Sequence, residues 1–349
     1  MNSDHSSEPP QKRRTILAAA ALEHEARPDV TDALRTREWV SKILEQAGWH
    51  VLPADVTPEL LSSPERTASL IRSSGAECLF NLFEGFGSYS GAEHRFMTIV
   101  EKEGIPCTGN PASVLKACLS KDVTTERLIQ NEVPVPAGVT LFPGSTPSWI
   151  LEKLRLPVFL KPLSEDGSVG IDGGSLVEDA AGLEESVLSK LADFPAGIRA
   201  EEFLPGSEYS VSFMGNGPYR PVGVSVIDYG DLEGCPHYLD YGSKWDPESP
   251  LYDLTPKKAE GEKARLAREL ADSAGKALGC RGYFRVDLRE KDGMLFVIDV
   301  NPNPDLSAGG GFMRQCRESG MSELDTVSAI VELALEKALR GACGGKSSC

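Results

Sequence analysis

The strongest chemical signal in the 349-residue chain comes from Arg285, Asp287, Asp299 and Asn301, set in RVDLREKDGMLFVIDVNPNPDLS. They lie on two segments, GYFRVDLRE and MLFVIDVN, that otherwise read as β-strands, where Asp and Asn are normally depleted. Side chains alternate faces along a strand, so Arg285 shares a face with Asp287, and Asp299 with Asn301. Whether the two polar faces coincide depends on the loop between the strands. A two-residue Asp292-Gly293 turn would pair Asp287 with Ile298 and separate the acids. A three-residue loop reaching Met294 pairs Asp287 with Asp299 and Arg285 with Asn301. The three-residue loop is expected, because it gathers Val286, Leu288, Ile298 and Val300 on one apolar face.

Two facing carboxylates repel each other unless a cation lies between them. Asp, Asp and Asn with no His or Cys nearby are hard oxygen ligands. That set suits Mg²⁺, which keeps several waters and also binds phosphates. A solvated sheet face with its acids paired to surface lysines is the alternative. It does not account for Asn-Pro-Asn-Pro at 301–304, whose prolines stiffen the strand exit and would hold Asn301 and Asn303 in place. A metal site that holds phosphates also needs cations. Lys121, Lys161 and Lys244 each stand at an element end or in a loop beside glycine or serine. Lys161 is followed by GSVGIDGG, which includes Ser168, and backbone N–H groups of such loops approach phosphate oxygens closely. There is no GxxxxGK[ST] loop, and no GxGxxG follows the first strand.

The elements around these residues point to several α/β units. TILAAAAL reads as a buried first strand after a disordered segment 1–14. A helical stripe over Val30–Ala47 then stops at Gly48, and WHVLPA and ECLFNLF follow as strands. This alternation predicts a Rossmann-like parallel sheet whose ligands sit at strand carboxyl ends, near Glu23 and near NLFEGFGSYSG. LPVFLKP is a short strand ending at Lys161, and AGIRAEEFLPGSEYSVSFMG has strand character around Pro205-Gly206. Helices are expected over 260–278, closed by Gly279, and over 324–339. The expected units are 15–117, 118–199 and 200–340 with a flexible tail 341–349, giving α/β overall and α+β in the C-terminal half.

A formal charge of -16 opposes binding to nucleic acid or anionic lipid, and no apolar run is long enough to span a bilayer. Lys12, Arg13 and Arg14 before TILAAAAL mimic the start of a secretory signal, but the run is short and leads into Glu23, His24 and Glu25. The eight cysteines form no CxxC pair, and scattered reduced thiols fit a cytoplasmic protein.

With these blocks in order, the chain resembles the ATP-grasp superfamily, and within it the D-alanine-D-alanine ligases. The resemblance runs from about Thr15 to Leu339 and is strongest over LPVFLKP, AEEFLPGSEYSV and RVDLREKDGMLFVIDVNPNP. It implies a three-unit fold gripping ATP between the second and third units, with two Mg²⁺ ions and Mn²⁺ as an acceptable substitute. By resemblance, Lys121, Lys161 and Ser168 lie at the phosphates, Glu201, Phe203 and Leu204 form the hinge beside adenine, and Glu208 binds ribose. Asp287, Asp299 and Asn301 match the metal ligands, and Lys244 and Arg285 the cations at the transferring phosphate. Glu23 would anchor the first substrate's ammonium. The implied reaction converts a carboxylate to an acyl phosphate, which an amine then attacks. Small amino-acid or carboxylate substrates are implied, and a homodimer is compatible. The chain departs from the family at Ala18–Leu22, at Glu84-Gly85 and at Asp305 with Gly309–Gly311. This leaves open a ligase joining a different pair, and a nucleotide-binding protein without turnover.

Overall fold

The structure is a computed structural model that describes residues 14–23, 28–87, 89–231, 235–252 and 254–344, with the backbone alone at 28–30, 231, 244–245 and 337–344. Strand β1 (Thr15–Ala21) buries every residue except the first. Such an unbroken apolar run suits a central parallel strand covered on both faces. It lies between β2 (His50–Val56) and β3 (Cys78–Asn81), both parallel to it. The helix Pro28–Gln46 forms the crossover from β1 to β2, and Gly48, with φ of 90°, turns the chain into β2. On one face of this sheet Ile16, Ala20 and Phe80 pack against Phe312, Val327, Ile330 and Val331, so the last helix (Glu323–Gly344) closes the first unit.

Strands β4 (Gly138–Leu141), β5 (Val158–Pro162), β6 (Leu176–Val177) and β7 (Ile198–Glu202) form an antiparallel sheet in the order β4-β7-β5-β6. A second antiparallel sheet contains β8 (Glu208–Met214), β9 (Arg220–Ile227), β10 (Lys257–Lys258), β11 (Tyr283–Lys291) and β12 (Met294–Asn301), in the order β10-β9-β8-β11-β12. The helix Gly261–Leu278 presents Ala264, Ala267, Ala271 and Ala274 to this sheet's apolar face, meeting Val211, Phe213, Val286 and Leu288. Small residues at helical spacing let helix and sheet approach closely. Pro205-Gly206 joins β7 to β8 and so carries the chain from one sheet to the next.

The β11–β12 hairpin reaches the expected register by an unexpected route. Lys291 pairs with Met294, which makes the loop the two-residue Asp292-Gly293 turn rather than the three-residue one. Both turn residues have positive φ, 51° and 81°, as a type I′ turn requires. The register then shifts between Asp287 and Leu288: Leu288 faces Val297, whereas Asp287 faces Asp299 and Arg285 faces Asn301. Ile298 is the extra residue, a β-bulge. It lines the cleft instead of joining the core, and Val297 takes the buried place expected for it.

Three further expectations change. Arg14 is tied down, pairing with Glu77 at 2.9 Å and lying over the Trp49 ring; residues 1–13 lie outside the described set. The last helix runs on to Gly344, through part of the segment expected to be a flexible tail, whose residues 345–349 are not described. The expected divisions at 117/118 and 199/200 fall inside the helix Ala112–Leu119 and inside β7. Among the described residues no disulfide joins the cysteines, and no helix is long and apolar enough to cross a membrane.

Candidate active site

A cleft of about 700 Å³ runs between the three sheets. It brings together Lys121, Lys161, Ser168, Glu201, Phe203, Leu204, Glu208, Arg285, Asp287, Asp299 and Asn301, drawn from a chain span of more than half the protein. Glu23, just past β1, lies beside it and accepts a hydrogen bond from the N–H of Gly87, a lining residue, at 3.0 Å. Lys244 lies on the short helix Gly242–Trp245; its side chain lies outside the described residues.

The acidic face of the hairpin forms one wall. Arg285 holds Asp287 with two donors, Nε to Oδ1 at 2.8 Å and a terminal nitrogen to Oδ2 at 2.7 Å, and the Ser210 hydroxyl donates to Oδ1 at 2.7 Å. Asp299 stands opposite on β12, and the Oδ1 of Asn301 accepts from the N–H of Asn303 at 3.1 Å. Asn303 is itself fixed: Tyr283 donates to its Oδ1 at 2.6 Å, and its amide donates to Glu93 at 2.8 Å. The Asn-Pro-Asn-Pro exit is thus clamped by side chains from two units as well as stiffened by its prolines.

Lys161, the last residue but one of β5, is 8% exposed and joins the two antiparallel sheets. Its ammonium pairs with Glu201 at 2.7 Å and donates to the carbonyl of Ile298 at 3.1 Å. That carbonyl belongs to the bulged residue, which the ladder leaves free to bond elsewhere. Arg199 holds the other oxygen of Glu201 at 2.7 Å, so the Glu201 carboxylate is occupied and any part in the hinge falls to its backbone. Phe203 stacks near Phe159, ring centroids 6.1 Å apart, and Leu204 is buried. Lys121 opens its helix and donates to the carbonyl of Glu165 in the loop after Lys161. In that loop Gly167, Ser168 and Gly170 all have positive φ, which folds it tightly beside the cleft. Ser90, from the first unit, donates to the Glu165 carboxylate at 2.9 Å, and Tyr238 donates to the Asp172 carbonyl at 3.1 Å. The loop is therefore held from both sides.

Glu93, Arg289 and Tyr229 were not identified from the sequence, and Glu84 was singled out only as a departure from the family. Glu84 feels the charges of Asp305, Glu93, Asp166 and Asp32, and Glu93 feels that of Asp166. Loss of water first, then the Asp166 charge, raises the Glu93 carboxyl to about 8. Glu84 reaches cleft solvent, yet partial loss of water and the charges of Asp305, Glu93, Asp166 and Asp32 hold it well above the usual carboxylate range. Arg289 extends the polar face of β11 by one more alternate position, a signal present in the spacing Arg285, Asp287, Arg289. Tyr229 has no comparable signal, because it meets Glu208 through strand pairing rather than proximity in sequence.

Among the described residues no three His, Cys, Asp or Glu side chains are set to hold a metal ion by themselves. Asp287, Asp299 and Asn301 therefore offer two carboxylates and an amide oxygen, and further ligands must come from phosphate oxygens and water. A hard, oxygen-only and incomplete donor set fits Mg²⁺ bound together with a nucleotide.

The family model described as the D-ala D-ala ligase C-terminus matches residues 141–332, more than half the chain. The chain belongs to the D-alanine-D-alanine ligase family. A D-alanine-D-alanine ligase of Desulforudis audaxviator is 29% identical over 307 residues, covering 87% of this chain and 94% of that one. An uncharacterized protein of Sinorhizobium fredii, y4sG, is 28% identical over 308 residues, covering 86% and 87%. The fold matches a D-alanine-D-alanine ligase of Bacillus anthracis complexed with ATP, with a TM-score of 0.74 at 17% identity and coverage of 94% and 99%. It also matches the VanG D-Ala:D-Ser ligase of Enterococcus faecalis, with a TM-score of 0.72 at 18% identity and coverage of 93% and 100%.

Proposed function

We propose that the protein joins two amino acids at the expense of ATP, as a D-alanine-D-alanine ligase does, activating the first carboxylate as an acyl phosphate. The observation that carries this reading is the facing pair Asp287 and Asp299, with Arg285 beside them and Lys161 reaching the strand that bears Asp299. A protein that only binds nucleotide has no need of a fixed guanidinium next to two opposed carboxylates.

In this reading Phe203 and Leu204 bound the base, Glu208 accepts from the ribose, and Lys121 and Lys161 meet the phosphates. Mg²⁺, held by Asp287, Asp299 and Asn301, would neutralise charge on the transferring phosphoryl group. The protein's work is positioning. Glu23 receives the ammonium of the first amino acid, and Lys244 would supply a positive charge to the transferring phosphate. Arg285, permanently charged, stabilises the oxyanion that forms as the amine attacks. The loop 163–174 shields the acyl phosphate from water. The reading places the reaction in the cytosol, as one of peptidoglycan precursor synthesis, and admits a homodimer.

The test is phosphate release from ATP and Mg²⁺ with single amino acids and pairs, D-alanine and D-serine included, with the dipeptide identified by mass. Wild type should show release stimulated by an amino acid and a dipeptide product, and Asp299→Ala should lose both. Equal rates in the two proteins would remove the metal assignment, and no stimulation by any amino acid would remove the ligase reading.

A further inference from the structure

At the end of the cleft near Phe203, two side chains that the proposed function does not use, Tyr229 and Arg289, gather around Glu208. Glu208 begins β8, with Arg289 directly opposite on β11 and Ile227 opposite on β9. Two residues beyond Ile227, Tyr229 is 1% exposed and donates its hydroxyl to the Oε2 of Glu208 at 3.0 Å. Arg289 is 6% exposed, and its guanidinium carbon lies 4.8 Å from the Tyr229 ring centroid and 5.2 Å from that of Phe203. One of its terminal nitrogens donates to the carbonyls of Gly206 and His237, and its Nε has no hydrogen-bond partner among the described residues.

Burying a phenol and a guanidinium is unfavourable unless each finds a partner. Here both are committed to the surroundings of one carboxylate. The Tyr229 hydroxyl occupies Oε2, leaving Oε1 without a donor among the described residues. Loss of water raises the Glu208 carboxyl, and the charge of Arg289 is the largest influence opposing this, so Arg289 favours the ionised form. Contact with the Tyr229 and Phe203 rings helps fix the guanidinium in place. A glutamate at a strand start would otherwise sample several rotamers, and a carboxylate that must accept from a ligand binds better when it is already held.

We propose that Tyr229 and Arg289 are positioning residues for the nucleotide: they hold Glu208 in one orientation with Oε1 toward the cleft, so that ribose hydroxyls are recognised and deoxynucleotides are discriminated against. The proposal rests on Glu208 as the ribose acid, and it adds the two residues that make that acid selective.

The experiment is calorimetric titration of the full-length protein with ADP, 2′-deoxy-ADP and 3′-deoxy-ADP in Mg²⁺, which needs no turnover. Wild type should prefer ADP about tenfold over at least one deoxy form, the worth of a hydrogen bond to a charged group. Tyr229→Phe and Arg289→Met should weaken ADP about five- to tenfold while moving that deoxy form less than about twofold, and Arg289→Lys should recover part of the preference. Equal weakening of all three nucleotides by both variants would make the two residues mere wall and overturn the proposal. Glu208→Ala, which removes both acceptor oxygens, separates the two roles. Loss of discrimination there, with discrimination kept in Tyr229→Phe and Arg289→Met, would overturn the positioning role alone. Discrimination kept in Glu208→Ala would overturn the ribose-acid reading itself.

Discussion

Lys161 donates to the carbonyl of Ile298, the one residue by which β12 exceeds its partner strand. A regular ladder would tie that carbonyl to the neighbouring strand. The bulge frees it, so a single extra residue accompanies both the facing of Asp287 by Asp299 and the docking of the β5 lysine.

Deleting Ile298 separates these two effects. With the two-residue turn unchanged, Asp299 moves one place and stays opposite Asp287, but Lys161 loses its carbonyl acceptor. The shortened protein should fold and should bind ADP and Mg²⁺ about tenfold more weakly, as expected for one hydrogen bond to a charged group. Unchanged affinity by calorimetry would mean that the free carbonyl does not position Lys161.

The buried pairs around Glu201 predict a division between stability and binding. Its carboxylate lies between Lys161 and Arg199, all three less than 10% exposed. Glu201→Ala leaves two buried cations unpaired and should cost about 3–5 kcal/mol in urea unfolding. Lys161→Met leaves Glu201 paired with Arg199, so it should lower stability less while removing most nucleotide binding. If both variants lost stability equally, Arg199 would not be compensating Glu201.

Much of this site could be read from the sequence because its chemistry lies at short range. Asp287 and Asp299 announced themselves as acids in apolar strands, and Lys161 as a cation ending one. The correct register was inferred through the wrong loop, because a bulge and a longer turn give the same pairing at Asp287 and differ only between Ile298 and Met294. Contacts assembled from distant segments carried no such signal. The tie of Tyr229 to Glu208 spans 21 residues and that of Asn303 to Glu93 spans 210, and neither leaves a local pattern. Arg289 is the intermediate case: its alternate spacing was visible, but a cation two places past an acid reads equally well as a surface residue.

The hydrogen bond from Ser90 to Glu165 links the first unit to the loop after Lys161 at 2.9 Å, and Lys121 holds the backbone of the same residue. Ser90→Ala should loosen closure by roughly 0.5–1.5 kcal/mol. The expected result is a few-fold rise in phosphate release not matched by dipeptide, because water enters a less tightly closed site. Release and dipeptide falling together would indicate that closure does not depend on this contact.

Glu93 predicts a pH dependence of stability whose sign is opposite to that of an ordinary salt-bridged acid. Its carboxyl is raised to about 8 by burial and by Asp166, partly offset by hydrogen bonds from Asn303 and Asn81. Between the usual glutamate range and about pH 8 the folded protein holds a proton that the unfolded chain has released. Unfolding free energy therefore falls as pH rises, by at most about 1.4 kcal/mol per pH unit from this group, and levels off above about pH 8. Glu93→Gln stays neutral and keeps an oxygen to accept from Asn303, so it lacks this slope. The variant should match wild type near pH 5 and be more stable by about 2–4 kcal/mol near pH 8 in nucleotide-free protein. Denaturation curves that stay parallel across that range would show that Glu93 ionises normally in the folded cleft.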